Sequence, residues 1–202
     1  MVRRSLDVLA AAVLLLLMLP LLGAAAAAVY LVDPGPVLYR QSREGRGGRP
    51  FQLVKLRTMV QDADQRLARL LATDAASRSE YERYFRLEHD PRLLPVVGGF
   101  LRRFSIDEIP QLWNVLRGDM SLVGPRPLAT DFVAALNDSF LEQRRRIRPG
   151  LTGLWQVSGR SDLDKDALEQ FDGEYLAHRS VRLDLEILAR TPAAVLRREG
   201  AY

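Results

Sequence analysis

Apolar residues are spaced unevenly along this chain, and the spacing divides it into distinct segments. Val8 to Val32 is a run of 25 residues without a charge. As a straight helix it would measure about 37 Å, more than a hydrocarbon core of roughly 30 Å. It is also longer than the apolar core of about 7–15 residues expected in a secretory signal. Pro20 stands at its centre, where a missing backbone donor and a clash with the preceding turn should bend or break the helix. Gly23 and Ala24 to Ala28 follow and permit a change of path. Two topologies are compatible with this pattern. One is a spanning helix kinked at Pro20; the other is a re-entrant helix that turns there and leaves by the face it entered. Asp7, four residues after Arg3 and three after Arg4, is expected to pair with one of them on the helix surface.

Asp33-Pro34-Gly35-Pro36 is a turn that ends this segment. Val37 to Gln41 and Phe51 to Arg57 read as two short strands around a basic, glycine-rich hairpin loop. The second strand carries Lys55 and Arg57 on one face, either as a solvated surface or as an anion-facing pair. Gln61 to Glu88 has helical spacing, with a break expected at Ala75-Ala76-Ser77. Ile109, Leu112, Trp113 and Leu116 mark one apolar helical face. Ser121 to Val123 reads as a short strand or turn, Asp131 to Arg146 as a helix, and Pro149 to Val157 as a turn entering a strand. Leu168, Phe171 and Tyr175 line a further helix, and Val181 to Leu196 is apolar and basic by turns, suited to a membrane surface or to the core. The expected class is therefore α+β. Residues 1–33 are expected to form a membrane-embedded re-entrant helix broken at Pro20, and residues 34–202 a mainly helical domain with a small β-hairpin and interfacial helices.

Charge sharpens the membrane reading. Residues 1–57 hold eight Lys or Arg against three acids, whereas residues 58–202 hold 21 against 22. The excess positive charge thus flanks the apolar run, which fits an anionic membrane face better than nucleic acid. Arg3 and Arg4 stand before the run, and Arg40, Arg43, Arg46 and Arg49 after it. Basic flanks favour the cytoplasmic side; if both obey that rule, the helix is re-entrant. The 202 residues contain no cysteine and only two histidines, His89 and His178. That excludes a disulfide framework and thiolate chemistry, and leaves carboxylates and arginines as the main reactive groups.

Those groups concentrate in Phe100 to Pro127, FLRRFSIDEIPQLWNVLRGDMSLVGPRP. Asp107 and Glu108 lie between Arg102-Arg103 and an arginine, Arg126, set between two prolines. Prolines on both sides hold the Arg126 backbone extended, and a fixed planar guanidinium suits phosphate or carboxylate. A bland account coexists with this one. Ser105 with Glu108 matches a capping box, and acids in a first helical turn are stabilised by the helix dipole without any catalytic role. By its spacing from Ile109, Asp107 is expected to point away from the core face.

The segments Lys55-Leu56-Arg57-Thr58-Met59, Asp90-Pro91-Arg92, Leu101 to Pro127 and Arg148 to Arg160 resemble the bacterial sugar transferases, the monotopic phosphoglycosyl transferases. The resemblance runs nearly end to end and is most specific from Ser105 to Pro127. The terminal Arg-Arg-Glu-Gly-Ala-Tyr is similar to the branch that moves hexose-1-phosphate onto undecaprenyl phosphate to begin exopolysaccharide, capsule or O-antigen units. Members of that branch often carry further membrane helices and another domain, so this chain is expected to be the catalytic unit.

The resemblance implies that Asp107 is the nucleophile, attacking the β-phosphorus of a UDP-hexose and releasing UMP through a covalent phosphosugar intermediate. It implies that Glu108 assists, that Asp107 and Glu108 hold Mg²⁺, and that Arg102 and Arg126 bind phosphate, with Lys55, Arg57 and Arg160 as helpers. It places the chain at the cytoplasmic face of a bacterial inner membrane, with membrane lipid as a partner, no role for nucleic acid, and homo-oligomerisation left open. The family's helix break is a Ser-Pro pair, whereas this chain has Leu19-Pro20, so Pro20 alone must make the bend. Two other readings use the same residues: an Mg²⁺-dependent nucleotide-sugar pyrophosphatase or phosphodiesterase, and a non-catalytic scaffold tethered to lipid.

Overall fold

The computed structural model describes residues 2–84, 87, 89–129, 133, 138–158 and 165–197. A long apolar helix, α1 (Val2–Val32), leads into a hairpin of β1 (Leu38–Glu44) and β2 (Pro50–Leu56). Helices α2 (Ala63–Thr73), α3 (Ala75–Tyr84) and α4 (Val97–Arg103) follow, then a single 3₁₀ turn (Ile106–Glu108) and α5 (Gln111–Arg117). Strand β3 (Ser121–Val123) precedes α6 (Asp138–Arg145), β4 (Gly150–Thr152), the short α7 (Leu154–Val157), α8 (Lys165–His178) and α9 (Val181–Arg197). This is the expected helix-rich α+β mixture.

The helical assignment of α1 runs through Pro20 without interruption, so the expected break does not appear as a gap in the helix. At 31 residues it would be about 46 Å long. Both of its halves rest on the remainder of the protein. Ala11 is buried with Leu112, Val115 and Leu122 in one core cluster, and Ala10 and Leu15 pack against it. Ala25 and Val29 are buried with Leu56, Leu94, Leu101 and Ile106 in a second. The side away from these contacts exposes Leu9, Val13, Leu16, Leu17 and Leu21.

Polar clamps secure each end. Arg4 donates to the carbonyls of Val115 (2.7 Å) and Leu116 (3.0 Å) in the last turn of α5, where helical donors run out; Val115 also accepts from the Gly118 N–H. Asp7 accepts from Ser121 Oγ (2.7 Å) and from the Leu122 N–H (3.1 Å). The anticipated local pairing of Asp7 with Arg3 or Arg4 is therefore replaced by contacts with β3, and Arg3 instead meets Asp184 at 3.3 Å. At the other end, Arg57 donates to the Asp33 carboxylate at 2.5 Å and to the Asp33 carbonyl. Periodicity could not foresee these pairs, because their partners lie more than 20 residues away in sequence.

The hairpin pairs Leu38 with Leu56 and Glu44 with Pro50 in antiparallel register, longer on its first strand than the pattern suggested. The break between α2 and α3 falls at Asp74, whose carboxylate accepts from the N–H groups of Ala76 and Ser77 and so caps α3. Trp113 is 52% exposed, contrary to its expected core position; the short α5 turns Leu112 and Val115 inward. The strand expected to run to Val157 stops at Thr152, and Leu154–Val157 is helical. The first half of the expected Asp131–Arg146 helix, with Phe132, Ala135 and Leu136, lies outside the described residues, as do Phe85 and most of the terminal Arg-Arg-Glu-Gly-Ala-Tyr.

Strands β3 and β4 run parallel, and the ladder continues past them through Gly124 N–H to the Thr152 carbonyl (2.9 Å) and Gly150 N–H to the Pro125 carbonyl (2.8 Å). A Cβ on Gly150 would lie 2.1 Å from the Gly124 nitrogen and 2.4 Å from the Thr152 oxygen, both backbone atoms that cannot yield. Gly150→Ala should therefore lower the melting temperature sharply or prevent folding. Gly99→Ala, which meets nothing within 4 Å and lies inside α4, should be neutral or stabilising by about 0.5–1 kcal/mol. Thermal denaturation of the two variants checks this, and equal behaviour would contradict it.

Candidate active site

The site forms where α4, the 3₁₀ turn and the hairpin meet. Ser105 adopts a left-handed conformation (φ 54°, ψ 24°), which costs about 1–2 kcal/mol for a residue with a Cβ. This reversal carries the chain from α4 directly into the 3₁₀ turn, so Arg102 and Asp107 confront each other although only five residues apart. The capping box is not formed. The Ser105 side chain caps no N–H of the turn, and the Glu108 carboxylate engages Arg126 Nη2 at 3.3 Å. Nor does Asp107 point outward: at 6% exposure it is buried, because the turn packs on β2 and Ile106 enters the core beside it.

Burial is the main force on Asp107. Burial first and Glu108 second raise the carboxyl, Lys55 and Arg102 oppose them, and the balance stands at about 7. Lys55 shows the mirror effect. Its ammonium is lowered to about 8, first by burial, with Arg102 and Arg43 adding repulsion and Asp107 and Glu108 opposing. Arg102 is likewise lowered by burial, and its Nε donates to Thr58 Oγ1 at 3.0 Å. A carboxyl near neutrality beside cations is poised to act as a nucleophile or a proton acceptor at physiological pH.

The hairpin register brings further groups to this face. Lys55 pairs with Tyr39, Leu53 with Gln41 and Phe51 with Arg43, and directly opposed residues project to one side of a sheet. Lys55 Nζ lies 5.5 Å from the centre of the Tyr39 ring. Arg43, Lys55, Glu108, Gln111 and Arg126 line one crevice with Leu53, Pro127 and Leu151.

Arg126 is held from several sides. The extended β3–β4 ladder fixes Gly124 and Pro125, the buried Arg144 donates to the Arg126 carbonyl, and the guanidinium sits 5.6 Å over the Trp155 ring. Arg144 is itself paired with Asp172, buried at 1% exposure. Burial raises the Asp172 carboxyl to about 6 against the attraction of Arg144. The pair thus spends its charge on fixing a backbone rather than on contact with the crevice.

Of the residues singled out from sequence, Asp107, Glu108, Arg102, Arg126 and Lys55 come together. Arg57 does not join them, because its guanidinium is occupied by Asp33. Arg160 lies outside the described residues. Pro20 is on α1, away from the crevice-lining groups. Sequence reading missed Arg43, Gln111 and Trp155. The signal for Arg43 was present: pairing Tyr39 with Lys55 places residues 39, 41 and 43 on the Lys55 face. No group of three or more His, Cys, Asp or Glu able to hold a metal occurs among the described residues. The adjacent Asp107 and Glu108 could hold one only together with oxygens from a ligand.

Comparison with known proteins places the chain in a family. A family model described as bacterial sugar transferase matches residues 1–198. The chain is 46% identical to an undecaprenyl-phosphate galactose phosphotransferase of Salmonella typhimurium, over 84% of this chain and 35% of that protein. It is 43% identical to the exopolysaccharide production protein ExoY of Rhizobium meliloti, covering 100% of this chain and 88% of the relative. It is 44% identical to a UDP-glucose:undecaprenyl-phosphate glucose-1-phosphate transferase of Caulobacter vibrioides, over 99% and 72% of the two chains. Several curated relatives are longer: the chain spans about a third of the Salmonella protein and of two others.

A raised carboxyl has a stability signature. Between the ordinary carboxylate range near 4 and about 7, folded Asp107 holds a proton that the unfolded chain has lost, so stability falls as pH rises through that window. Asp107→Asn should flatten that slope, measured by urea denaturation at stepped pH. A slope unchanged by the substitution would show that Asp107 is ionised throughout.

Proposed function

Because the chain belongs to the bacterial sugar transferase family, we propose that it moves hexose-1-phosphate from a UDP-hexose to undecaprenyl phosphate. This would be the first step of building an exopolysaccharide, capsule or O-antigen unit. The observation that carries the reading is the buried Asp107 carboxyl, raised to about 7 with Lys55 and Arg102 acting on it, beside Glu108, which lines a crevice with Lys55, Arg43 and Arg126. A carboxylate there can attack phosphorus, while the cations neutralise charge on the phosphate oxygens.

The proposed sequence balances in two displacements. An Asp107 oxygen bonds to the β-phosphorus as the bond from that phosphorus to the bridging oxygen breaks, and UMP leaves with the bridging oxygen and its electron pair. The product on the protein is an aspartyl phosphosugar anhydride. An oxygen of the lipid phosphate then attacks the same phosphorus, releases the Asp107 carboxylate, and yields a lipid diphosphate sugar. Arg102 and Arg126 grip non-bridging oxygens, and Lys55 offsets the charge of Asp107 before attack. Glu108 orients Arg126 through their 3.3 Å contact. Magnesium would be held by Asp107 and Glu108 with substrate phosphate oxygens, where it would neutralise charge on the diphosphate.

The placement of α1 supports a re-entrant membrane helix. Its start is clamped to α5 and β3, its end to Arg57, and the residue before Asp107 packs with Ala25 and Val29. With both ends on one domain, the exposed leucines near Pro20 face the lipid, and the catalytic domain lies at the cytoplasmic face of a bacterial inner membrane. That brings a lipid phosphate at headgroup level and a soluble nucleotide-sugar to one side.

Two measurements test the reading. Wild-type protein should release UMP from UDP-hexose and form lipid product only with polyprenyl phosphate present, and Asp107→Asn should lose at least about 10³-fold in turnover by analogy with removal of other covalent nucleophiles. Sugar-phosphate release to water with no lipid product would favour the hydrolase; full function in Asp107→Asn would favour the scaffold. For topology, the absence of cysteine allows single-cysteine labelling. Ser5→Cys and Ser42→Cys, both at exposed positions, should react with an impermeant maleimide from the same side of sealed vesicles. Reaction from opposite sides would exclude the re-entrant form.

A further inference from the structure

The cations around the crevice outnumber the acids. Arg43, Lys55 and Arg126 line it with Glu108, an excess of two positive charges, and Asp107 and Arg102 act on Lys55 from beside it. The cations fall into two groups. Lys55 and Arg102 are the cations that act on Asp107, while Arg43 and Arg126 repel one another beside Glu108.

Among the described residues, Arg43 combines a missing ion pair with a buried, unpartnered Nε. The buried arginines elsewhere each have a carboxylate: Arg57 has Asp33, Arg92 has Asp90 at 2.7 Å, and Arg144 has Asp172. Its sequence neighbour Glu44 pairs instead with Arg145 at 2.8 Å, on the opposite side of the strand. Among the described residues Arg43 makes no ion pair. Its Nη2 donates to Gln41 Oε1 at 2.6 Å, and its Nε is buried with no partner. A buried donor left unsatisfied is costly, and so are two guanidiniums held together in a crevice. Burial and Arg126 together lower the Arg43 guanidinium to about 10. Both costs are relieved by an anion that accepts from both arginines at once, and phosphate oxygens match that geometry.

We propose that Arg43 and Arg126 build a second phosphate subsite on the Glu108 side of the crevice, next to Lys55, which lines the same crevice and also acts on Asp107. The inference rests on the phosphate-transfer reading and extends it by one residue and one subsite. Its occupant is either the second phosphate of the nucleotide-linked donor or the phosphate of the lipid acceptor. The two share the recognising chemistry and differ in which half-reaction they serve.

The experiment compares wild type, Arg43→Gln and Arg43→Lys by three readouts, with thermal denaturation confirming that each variant folds. The first is binding of inorganic pyrophosphate by calorimetry, which needs no turnover. The second is UMP release without lipid, as a function of UDP-hexose. The third is lipid-product formation as a function of polyprenyl phosphate. Loss of one charge-assisted contact predicts binding about 10- to 100-fold weaker in Arg43→Gln, with partial recovery in Arg43→Lys. A raised KM confined to UMP release assigns the site to the donor, and one confined to the lipid assigns it to the acceptor; either supports the proposal. A folded Arg43→Gln with unchanged pyrophosphate affinity and unchanged KM for both substrates overturns it, even if wild type is an active transferase. Weakened pyrophosphate binding in a protein whose wild type transfers nothing would sustain the phosphate site and sink the transfer reading.

Discussion

Everything near the reactive crevice depends on how one apolar helix is held at both ends. Helix α1 carries too much apolar surface for the domain to cover, so only one stripe of it is buried. What fixes that stripe is polar: Arg4 on the last-turn carbonyls of α5, Asp7 on β3, and Asp33 on Arg57. Helix and domain consequently share their cores. Ile106 lies in the cluster of Ala25 and Val29, and the next residue is Asp107. A shift of α1 along its axis would therefore be felt at the carboxylate, which couples the seating of this apolar helix to the geometry of the site.

Electrostatics at that point is a balance of opposing terms rather than a set of ion pairs. Asp107 is disfavoured as an anion by burial and by Glu108, and favoured by Lys55 and Arg102; Lys55 is disfavoured as a cation by burial and by Arg102 and Arg43. No group is fully satisfied by its protein neighbours. The buried pairs outside the crevice behave differently. Arg144–Asp172 and Arg92–Asp90 are closed, partnered and structural, and they hold the backbone that presents Arg126 and the segment leading to α4. The contrast between closed pairs around the site and open charges within it separates scaffold from chemistry.

The acid pair was legible as a cluster of charge next to a proline-bounded arginine, but its local geometry was not. Capping-box spacing suggested a helix start, whereas Ser105 turns left-handed and the Glu108 side chain goes to Arg126. Alternation on β2 put Lys55 and Arg57 on one face, yet only Lys55 reaches the crevice, because Asp33 captures Arg57. Arg43 was hidden by the opposite problem. Its role becomes visible only when Tyr39 is set opposite Lys55, and register depends on which turn the glycines of the loop adopt.

What the sequence determined by itself follows from short-range physics. An uncharged run fixes the existence of α1, helical and strand periods fix most elements, and residue chemistry limits catalysis to carboxylates and cations. Tertiary structure alone decided which charges are closed and which stay open, that both ends of α1 dock on one domain, and that Asp107 is buried. Those outcomes arise from contacts between residues distant in sequence and from the desolvation they impose. Neither quantity is carried by local spacing, so the same letters can read as a capped helix start or as a buried carboxyl among cations until the chain is folded.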